Sequence, residues 1–275
     1  TGEEPSVKGL CIACQLCYYH CARTPAGAAY PFEAVEKAVF GETRAEEGPG
    51  RLIGVYRGVY AARSTKEDIL KVCQDGGAVT SLLAYGLEAK MIDAAVTAGR
   101  LDSTSWKSMP AVALTYQGLL KTAGTKYTVS PTLLGLMSAV QEYYRRNVAM
   151  VGTPCQIQAL RRMQTSGFGV SKLAKAVKLT VGLFCMESFS FDELTRRRLE
   201  KKLNLNLVDI QKLNVKDDLM ITLSRGVTVH VPLEEVDLVA RPACLACPDF
   251  SNEYADLSVG GLGSPDGYTT VLVRT

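Results

Sequence analysis

The sequence is poor in histidine and tryptophan, with two of the first and one of the second in 275 residues. So few imidazoles leave little room for histidine-based catalysis or metal binding, and no Ser-His-Asp set is suggested. Charge of one sign is also missing: the formal net charge is +3, which does not demand a nucleic-acid partner but suits a small anionic one. No uninterrupted apolar run approaches the roughly 20 residues needed to span a bilayer. The opening TGEEPSVKG is acidic and polar, unlike a signal peptide, and it lacks Met, which leaves room for native chain ahead of Thr1. Two nucleotide fingerprints are absent. GLGSPDG misses the G-x-G-x-x-G spacing because position 266 is Asp, and there is no P-loop, so a nicotinamide site has little support.

Cysteine is abundant instead. Nine residues, an odd number without a secretory signal, argue against a disulfide framework and for clustered metal or redox use in a reducing, cytoplasmic compartment. Cys11, Cys14, Cys17 and Cys21 stand at the C-x2-C-x2-C-x3-C spacing that bacterial ferredoxins use to hold a cubane iron–sulfur cluster. A zinc site needs two close pairs, commonly with a longer spacer, so iron–sulfur is the favoured reading and zinc the alternative. Ala22 occupies the position where the ferredoxin run has Pro, which makes Cys21 the least secure of the four ligands. His20, inside the run, is unnecessary beside four thiols.

Along the chain, residues 1 to 50 are expected to form a small ferredoxin-like module and linker. PFEAVEKAVFGE reads as a short amphipathic helix stopping near Gly41, and ETRAEEGPGR as a charged linker. From residue 51 to 275 helices and strands interleave as an α/β domain with a mixed sheet and added α+β elements. LIGVYRGVYAAR, IDAAVTAG, AVALT, NVAMV, AVKLTVGLFCM, LVDIQKLNV, LMITLS and VTVHVPL read as strands. KEDILKVC, with Ser64 or Thr65 as N-cap, GGAVTSLLAYGLEAK, SPTLLGLMSAVQEYYRR, the segment after GTPCQ and FDELTRRRLEKKL read as helices. The tail from ACLACPDF to VLVRT reads as loops ending in a strand.

A second cysteine set is scattered. Cys155 and Cys185 each follow a predicted strand, on the rim where α/β sheets bind ligands. Adding the pair Cys244 and Cys247 makes four, the number a second cluster requires. Cys73 is left as a plain helix thiol. Four small-residue loops, QDGGAVTSLL, AGTKYTVSP, GTPCQ and GGLGSPDGYTT, offer backbone N–H groups for phosphate, although each is also ordinary turn chemistry. Lys126 and Arg161-Arg162 are the cations best placed to meet an anion. RRRLEKK reads as a solvated helix face and His230 as a sheet-surface residue.

At QDGGAVTSLLAYGL, AGTKYTVSP, GTPCQIQALRRMQ, GLFCMESF and CLACPDFSNEYADLSVGGLGSPDGYTTVLVRT, over about residues 55 to 275, the sequence resembles the beta subunit of coenzyme F420-reducing hydrogenase. Related members are the F420H2 dehydrogenase input subunit, F420-dependent formate dehydrogenase beta subunits and the N-terminal part of F420-dependent sulfite reductase. The hydrogenase subunit lacks a ferredoxin-like run, so the N-terminal module resembles the dehydrogenase or sulfite-reductase branch more closely. The resemblance implies an archaeal, methanogenesis-linked oxidoreductase subunit: an FAD-containing domain that exchanges hydride with coenzyme F420, carrying a 4Fe-4S cluster on Cys155, Cys185, Cys244 and Cys247. It further implies FAD contacts at Ser64 and Thr65; at Gly76, Gly77 and Thr80; at Gly124, Thr125, Lys126 and Tyr127; at Gly152, Thr153 and Pro154; and at Gly263, Ser264, Pro265, Asp266 and Gly267. FAD itself would accept the hydride, so no catalytic side chain is singled out.

The expected activity follows: hydride between F420 and FAD, then single electrons through two 4Fe-4S clusters to or from a partner subunit of a larger redox complex. Expected partners are coenzyme F420 and iron–sulfur or catalytic subunits, with no nucleic acid and no membrane span. The expected location is cytoplasmic, free or peripheral to a membrane complex. The alternatives are a ferredoxin-dependent flavoprotein reductase of the same family, a non-catalytic iron–sulfur subunit and a zinc-binding interaction module.

Overall fold

The computed structural model describes residues 6–7, 9–24, 32–102, 106–166 and 171–275. Positions 1–5, 8 and 25–31, which fall in the expected N-terminal module, lie outside the described residues.

Among the described residues, ten strands form two sheets. The large one holds β1 (Gly58–Ala62), β2 (Ala94–Arg100), β3 (Ser108–Ala113), β4 (Val148–Gly152), β5 (Val177–Leu183), β9 (Leu257–Gly260) and β10 (Thr269–Val273), in the order β1-β10-β9-β5-β4-β2-β3. The small antiparallel sheet is β6 (Ile210–Val215), β7 (Asp218–Leu223) and β8 (Thr228–Pro232). In the large sheet β9, β5, β4 and β2 are mutually parallel, and β1, antiparallel to β10, runs with them. Five strands therefore deliver their C-terminal ends to one rim.

The strand composition explains the layering. Along β2 and β4 successive side chains enter different cores: Ala94, Val96, Val148 and Met150 pack with Leu136 and Leu160, whereas Ala95, Ala149 and Val151 pack with Leu83 and Leu119. Helices thus cover both faces, which is why these strands read as continuous apolar runs rather than alternating ones. Alternation does appear in β7, where Leu219, Ile221 and Leu223 are buried and pack with Leu194 and Leu199 of the helix Asp192–Lys202. That helix is wound as a π-helix, with Leu203 N–H bonding the Arg198 carbonyl.

Residues 32–44 are knitted to the main body. Val35 of the helix Phe32–Phe40 packs on Ile157, Tyr254 and Ala255. Arg44, in the segment that reads as a charged linker, pairs with the buried carboxylates of Glu36 and Glu253, both at 2.5 Å.

Several segments differ from the sequence expectation. LIGVYRGVYAAR is a strand only from Gly58 to Ala62, because Pro49 opens a short helix, Pro49–Ile53, that Gly54 ends at φ 77°. The helix Glu67–Val72 takes Lys66 as its cap residue, and the Ser64 hydroxyl accepts from the Lys66 N–H at 3.2 Å, so neither Ser64 nor Thr65 is the N-cap. LVDIQKLNV opens with a 3-10 turn, Leu207–Asp209, which the Asn206 side chain caps at Val208 N–H. The strand β9, hidden inside the loop-rich tail, was not read from the sequence.

Candidate functional site

The rim at the C-terminal ends of the parallel strands gathers most of the chemistry-bearing residues. Arg63 to Thr65 follow β1, Thr153 to Cys155 follow β4, Phe184 and Cys185 follow β5, and Gly261 to Gly267 follow β9. The loop with Gly124 to Tyr127 joins them through backbone bonds to Phe189: Phe189 N–H reaches the Tyr127 carbonyl at 3.0 Å and Val129 N–H the Phe189 carbonyl at 3.2 Å.

At the β1 end, the Ser64 N–H bonds the Gly76 carbonyl at 2.7 Å. A Cβ on Gly76 would sit 2.3 Å from the Ala62 carbonyl oxygen and 2.7 Å from Thr269 N, so only glycine fits there. Gly77 has φ 75° and starts the helix Ala78–Glu88, in which Thr80 is buried. Ser64 also accepts from the Ser81 hydroxyl at 2.9 Å, and both line a cavity of about 250 Å³ with Arg63 and Tyr60. Arg63 donates to the Gly267 carbonyl at 2.8 Å, which joins this end to the 263–267 turn. Within that turn the Ser264 and Thr270 hydroxyls meet at 2.5 Å, and Tyr268 N–H closes on the Pro265 carbonyl at 3.0 Å.

The small sheet leans on the same loops. Lys212 donates to the Gln74 carbonyl at 2.6 Å, the Val215 N–H to the Tyr127 hydroxyl at 2.9 Å, and Lys216 pairs with Asp266 at 2.6 Å. Lys216 holds the Asp266 carboxyl below its ordinary value. Lys212 and Lys216 were not singled out from the sequence, because strand alternation shows that they are surface-facing but not which surface they meet.

Lys126 and Arg161 are committed to the protein. The Lys126 ammonium donates to the carbonyls of Thr122, Ala123 at 2.7 Å and Gly124 at 2.8 Å. Burial, aided by the Arg100 guanidinium, pulls it down to about 7. Arg161 binds the Tyr254 carbonyl, the Thr180 hydroxyl and the Asp256 carboxylate, so it anchors a helix rather than waiting for an anion.

The cysteines meet at a second cavity, of about 460 Å³. Cys155, Cys185, Cys244 and Cys247 line it, and so do Cys17 and Cys21. Cys155 stands in the first turn of the helix Pro154–Thr165, and the Gln156 carboxamide fixes that turn by accepting from Thr153 N–H at 3.1 Å. Cys185 N–H bonds the Phe250 carbonyl at 3.0 Å, and Cys247 N–H closes the C-x2-C turn on the Cys244 carbonyl at 2.9 Å. Burial, then the neighbouring Cys155, Cys244 and Cys247, push the Cys185 thiol up to about 12. Four thiols that repel one another as thiolates suit a cationic body placed between them. Among the described residues no three His, Cys, Asp or Glu close around a single metal ion. Four cysteine thiols on one cavity are the donor set that a cubane iron–sulfur cluster takes. Cys11 and Cys14 are exposed and lie off this cavity. Left-handed Ala13 and Gln15 curl their loop, and Cys11 Sγ accepts from Ala13 N–H at 3.4 Å. Cys73 donates to the Asp75 carbonyl at 2.9 Å, an ordinary thiol contact.

Asn252 is a positioning residue that the sequence did not single out. Fully buried at φ 60°, it donates to the Gly152 carbonyl at 2.9 Å and the Leu183 carbonyl at 3.1 Å. It therefore ties together the two strand ends that carry Cys155 and Cys185.

This is a mixed α/β domain whose strand C-termini present glycine turns and a convergent thiol set. Residues 59–136 match the family described as coenzyme F420 hydrogenase/dehydrogenase, beta subunit N-term, and residues 145–275 match the family describing the C terminus of the same beta subunit. The chain belongs to this family. The coenzyme F420 hydrogenase subunit beta of Methanothermobacter thermautotrophicus is 40% identical, covering 82% of this chain and 79% of that protein. The coenzyme F420-dependent sulfite reductase of Methanocaldococcus jannaschii is 36% identical over 80% of this chain and 35% of its own length. A chain of the F420-reducing [NiFe] hydrogenase complex from Methanosarcina barkeri has the same fold, with TM-score 0.78, 37% identity, and coverage of 84% of this chain and 78% of that one. Both family matches begin after the four-cysteine run.

Proposed function

We propose that the chain is a flavin- and iron–sulfur-containing oxidoreductase subunit that links coenzyme F420 to one-electron carriers. The observation that carries this reading is the convergence of Cys155, Cys185, Cys244 and Cys247 on one cavity beside the glycine turns of the same rim. Those four thiols hold one 4Fe-4S cluster, and Cys11, Cys14, Cys17 and Cys21 hold a second in an N-terminal module reaching to about residue 50. The turns at Ser64-Thr65, Gly76-Gly77 with Thr80, Gly124 to Tyr127, Gly152 to Pro154 and Gly263 to Gly267 hold FAD through backbone N–H groups and hydroxyls. Bound there, FAD supplies the conversion between hydride, the form in which a deazaflavin trades electrons, and the single electrons that clusters accept. The chain's own residues position and shield: Arg63 and the Ser64–Ser81 pair shape one end of the pocket, and Lys212 and Lys216 fasten the covering sheet to the Gln74 carbonyl and the Asp266 carboxylate of its loops. A partner subunit exchanges electrons at the thiol end, in the cytoplasm or peripheral to a membrane complex.

An anaerobic absorption spectrum tests the reading. Flavin bands with broad sulfur-to-iron absorption support it, and bleaching by reduced F420 but not by NADH assigns the donor. Cluster absorption without flavin leaves a non-catalytic electron carrier, bleaching by reduced ferredoxin alone leaves a ferredoxin-dependent reductase, and a colourless protein leaves the zinc module.

A further inference from the structure

The N-terminal cysteine run lies outside the family matches, yet it is docked on the main domain, against the helix Pro154–Thr165 whose first turn carries Cys155. His20 Nε2 meets the Ser166 hydroxyl at 3.0 Å, and Arg162 donates to the Cys21 carbonyl at 2.6 Å. Arg23 follows His20 and Cys21 in the same segment. Its backbone N–H points at Cys21 Sγ, 3.4 Å away. Its guanidinium Nη2 donates to Cys247 Sγ at 3.1 Å and to the Gln158 side-chain carbonyl at 3.3 Å. One residue therefore donates hydrogen bonds to a sulfur of each cysteine set.

The guanidinium is aimed rather than loosely placed. Gln158 is buried, and its Nε2 donates to the Asp249 carboxylate at 2.7 Å, which leaves its oxygen to accept from Arg23. Asp249 also accepts from Glu253 N–H at 3.0 Å, so the chain Glu253, Asp249, Gln158, Arg23 is fixed from the main domain outward. The carbonyl of Asp249 faces the same Cys247 thiol, at 3.9 Å.

We infer that Arg23 is a positioning residue that fastens the ferredoxin-like run to the second thiol site and raises the reduction potential of the cluster held there. The physical basis is the charge added on reduction. A cationic donor on a ligating sulfur stabilises the reduced, more negative cluster, and hydrogen bonds to such sulfurs are one of the protein's main controls on potential. This rests on the cluster reading under Proposed function.

The test uses the full chain with its clusters reconstituted, titrated anaerobically while reduced-cluster EPR signals are followed, beside iron and sulfide content. In R23Q one midpoint potential falls while iron content holds, and in R23K, which keeps the charge but not the planar fork, the potential falls less. A purely fastening role would alter iron retention without moving a potential. Midpoints identical in wild type, R23K and R23Q at full iron content overturn the inference. If R23Q loses iron, an R23K midpoint equal to wild type overturns it. A wild-type chain that takes up no iron–sulfur cluster overturns instead the reading on which it rests.

Discussion

Replacing Asn252 with Ala tests how the rim is held together. The side chain donates to the carbonyls of Gly152 and Leu183, the last residues of β4 and β5, at 2.9 and 3.1 Å. Two net hydrogen bonds contribute about 0.5–1.5 kcal/mol each. The backbone at φ 60° is left-handed, where Ala is disfavoured by about 1 kcal/mol or more. N252A should therefore lose about 2–4 kcal/mol of unfolding free energy. N252G removes the same bonds without the backbone strain and should be milder by about 1 kcal/mol. Anaerobic urea denaturation followed by far-UV circular dichroism measures both. Because those strand ends carry Cys155 and Cys185, iron content per chain should fall in both variants. A loss below about 1 kcal/mol in N252A, with wild-type iron content, would refute the view that this amide spaces the two cysteine loops.

Other outcomes follow from the same geometry. G76A places a methyl 2.3 Å from the Ala62 carbonyl and 2.7 Å from Thr269 N, so it should cost at least about 1–3 kcal/mol and lower flavin content, read by denaturation and bound-flavin absorbance. R274M leaves the carbonyls of Ile53, Val55 and Ser251 without the buried guanidinium that binds all three, and a loss of about 3–5 kcal/mol is expected in the same denaturation. Lys126, lowered to about 7 from 10.5, binds fewer protons folded than unfolded between those values, so wild-type stability relative to K126M should rise with pH, by about 2 kcal/mol from pH 7 to 9. A flat difference would mean that the three carbonyl acceptors keep the ammonium charged despite burial. R196A, which removes an exposed pair with Asp192 at 3.4 Å, should change stability by less than about 0.5 kcal/mol.

The sequence carried the parallel strands because burial on both faces leaves an unbroken apolar signature, as in AVKLTVGL and NVAMV. It marked the second cysteine set as one group because cysteines at strand ends and in C-x2-C pairs are sparse, chemically distinct signals, and the four line one cavity. What it could not carry were contacts made by unmarked residues across long separations. Lys126 looks like an anion ligand in a glycine loop, but the loop turns its ammonium back onto three carbonyls. Arg161 looks equally available until Asp256, 95 residues away, claims it. Asn252 reads as one loop residue among SNEYAD, and only tertiary placement puts it between two strand ends. Ser64 is not the cap for a local reason: its hydroxyl serves the N–H of Lys66, the residue just before the helix begins.

Strand order adds a spatial argument to the proposed function. Across the rim glycine turns follow β1, β9 and β4, thiol-bearing turns follow β5 and β4, and the N-terminal run docks on the helix after β4. With neighbouring strands about 4.8 Å apart, the four steps from β1 to β4 span about 19 Å. On the proposed function, the flavin end and the cluster end would thus lie within one domain's width. On the same proposal the run Cys11 to Cys21 would extend this path, since Arg23 contacts a sulfur of each set. Detaching the run should therefore interrupt electron flow to a partner while leaving reduction by F420 intact, which stopped-flow bleaching of the flavin and partner reduction would separate.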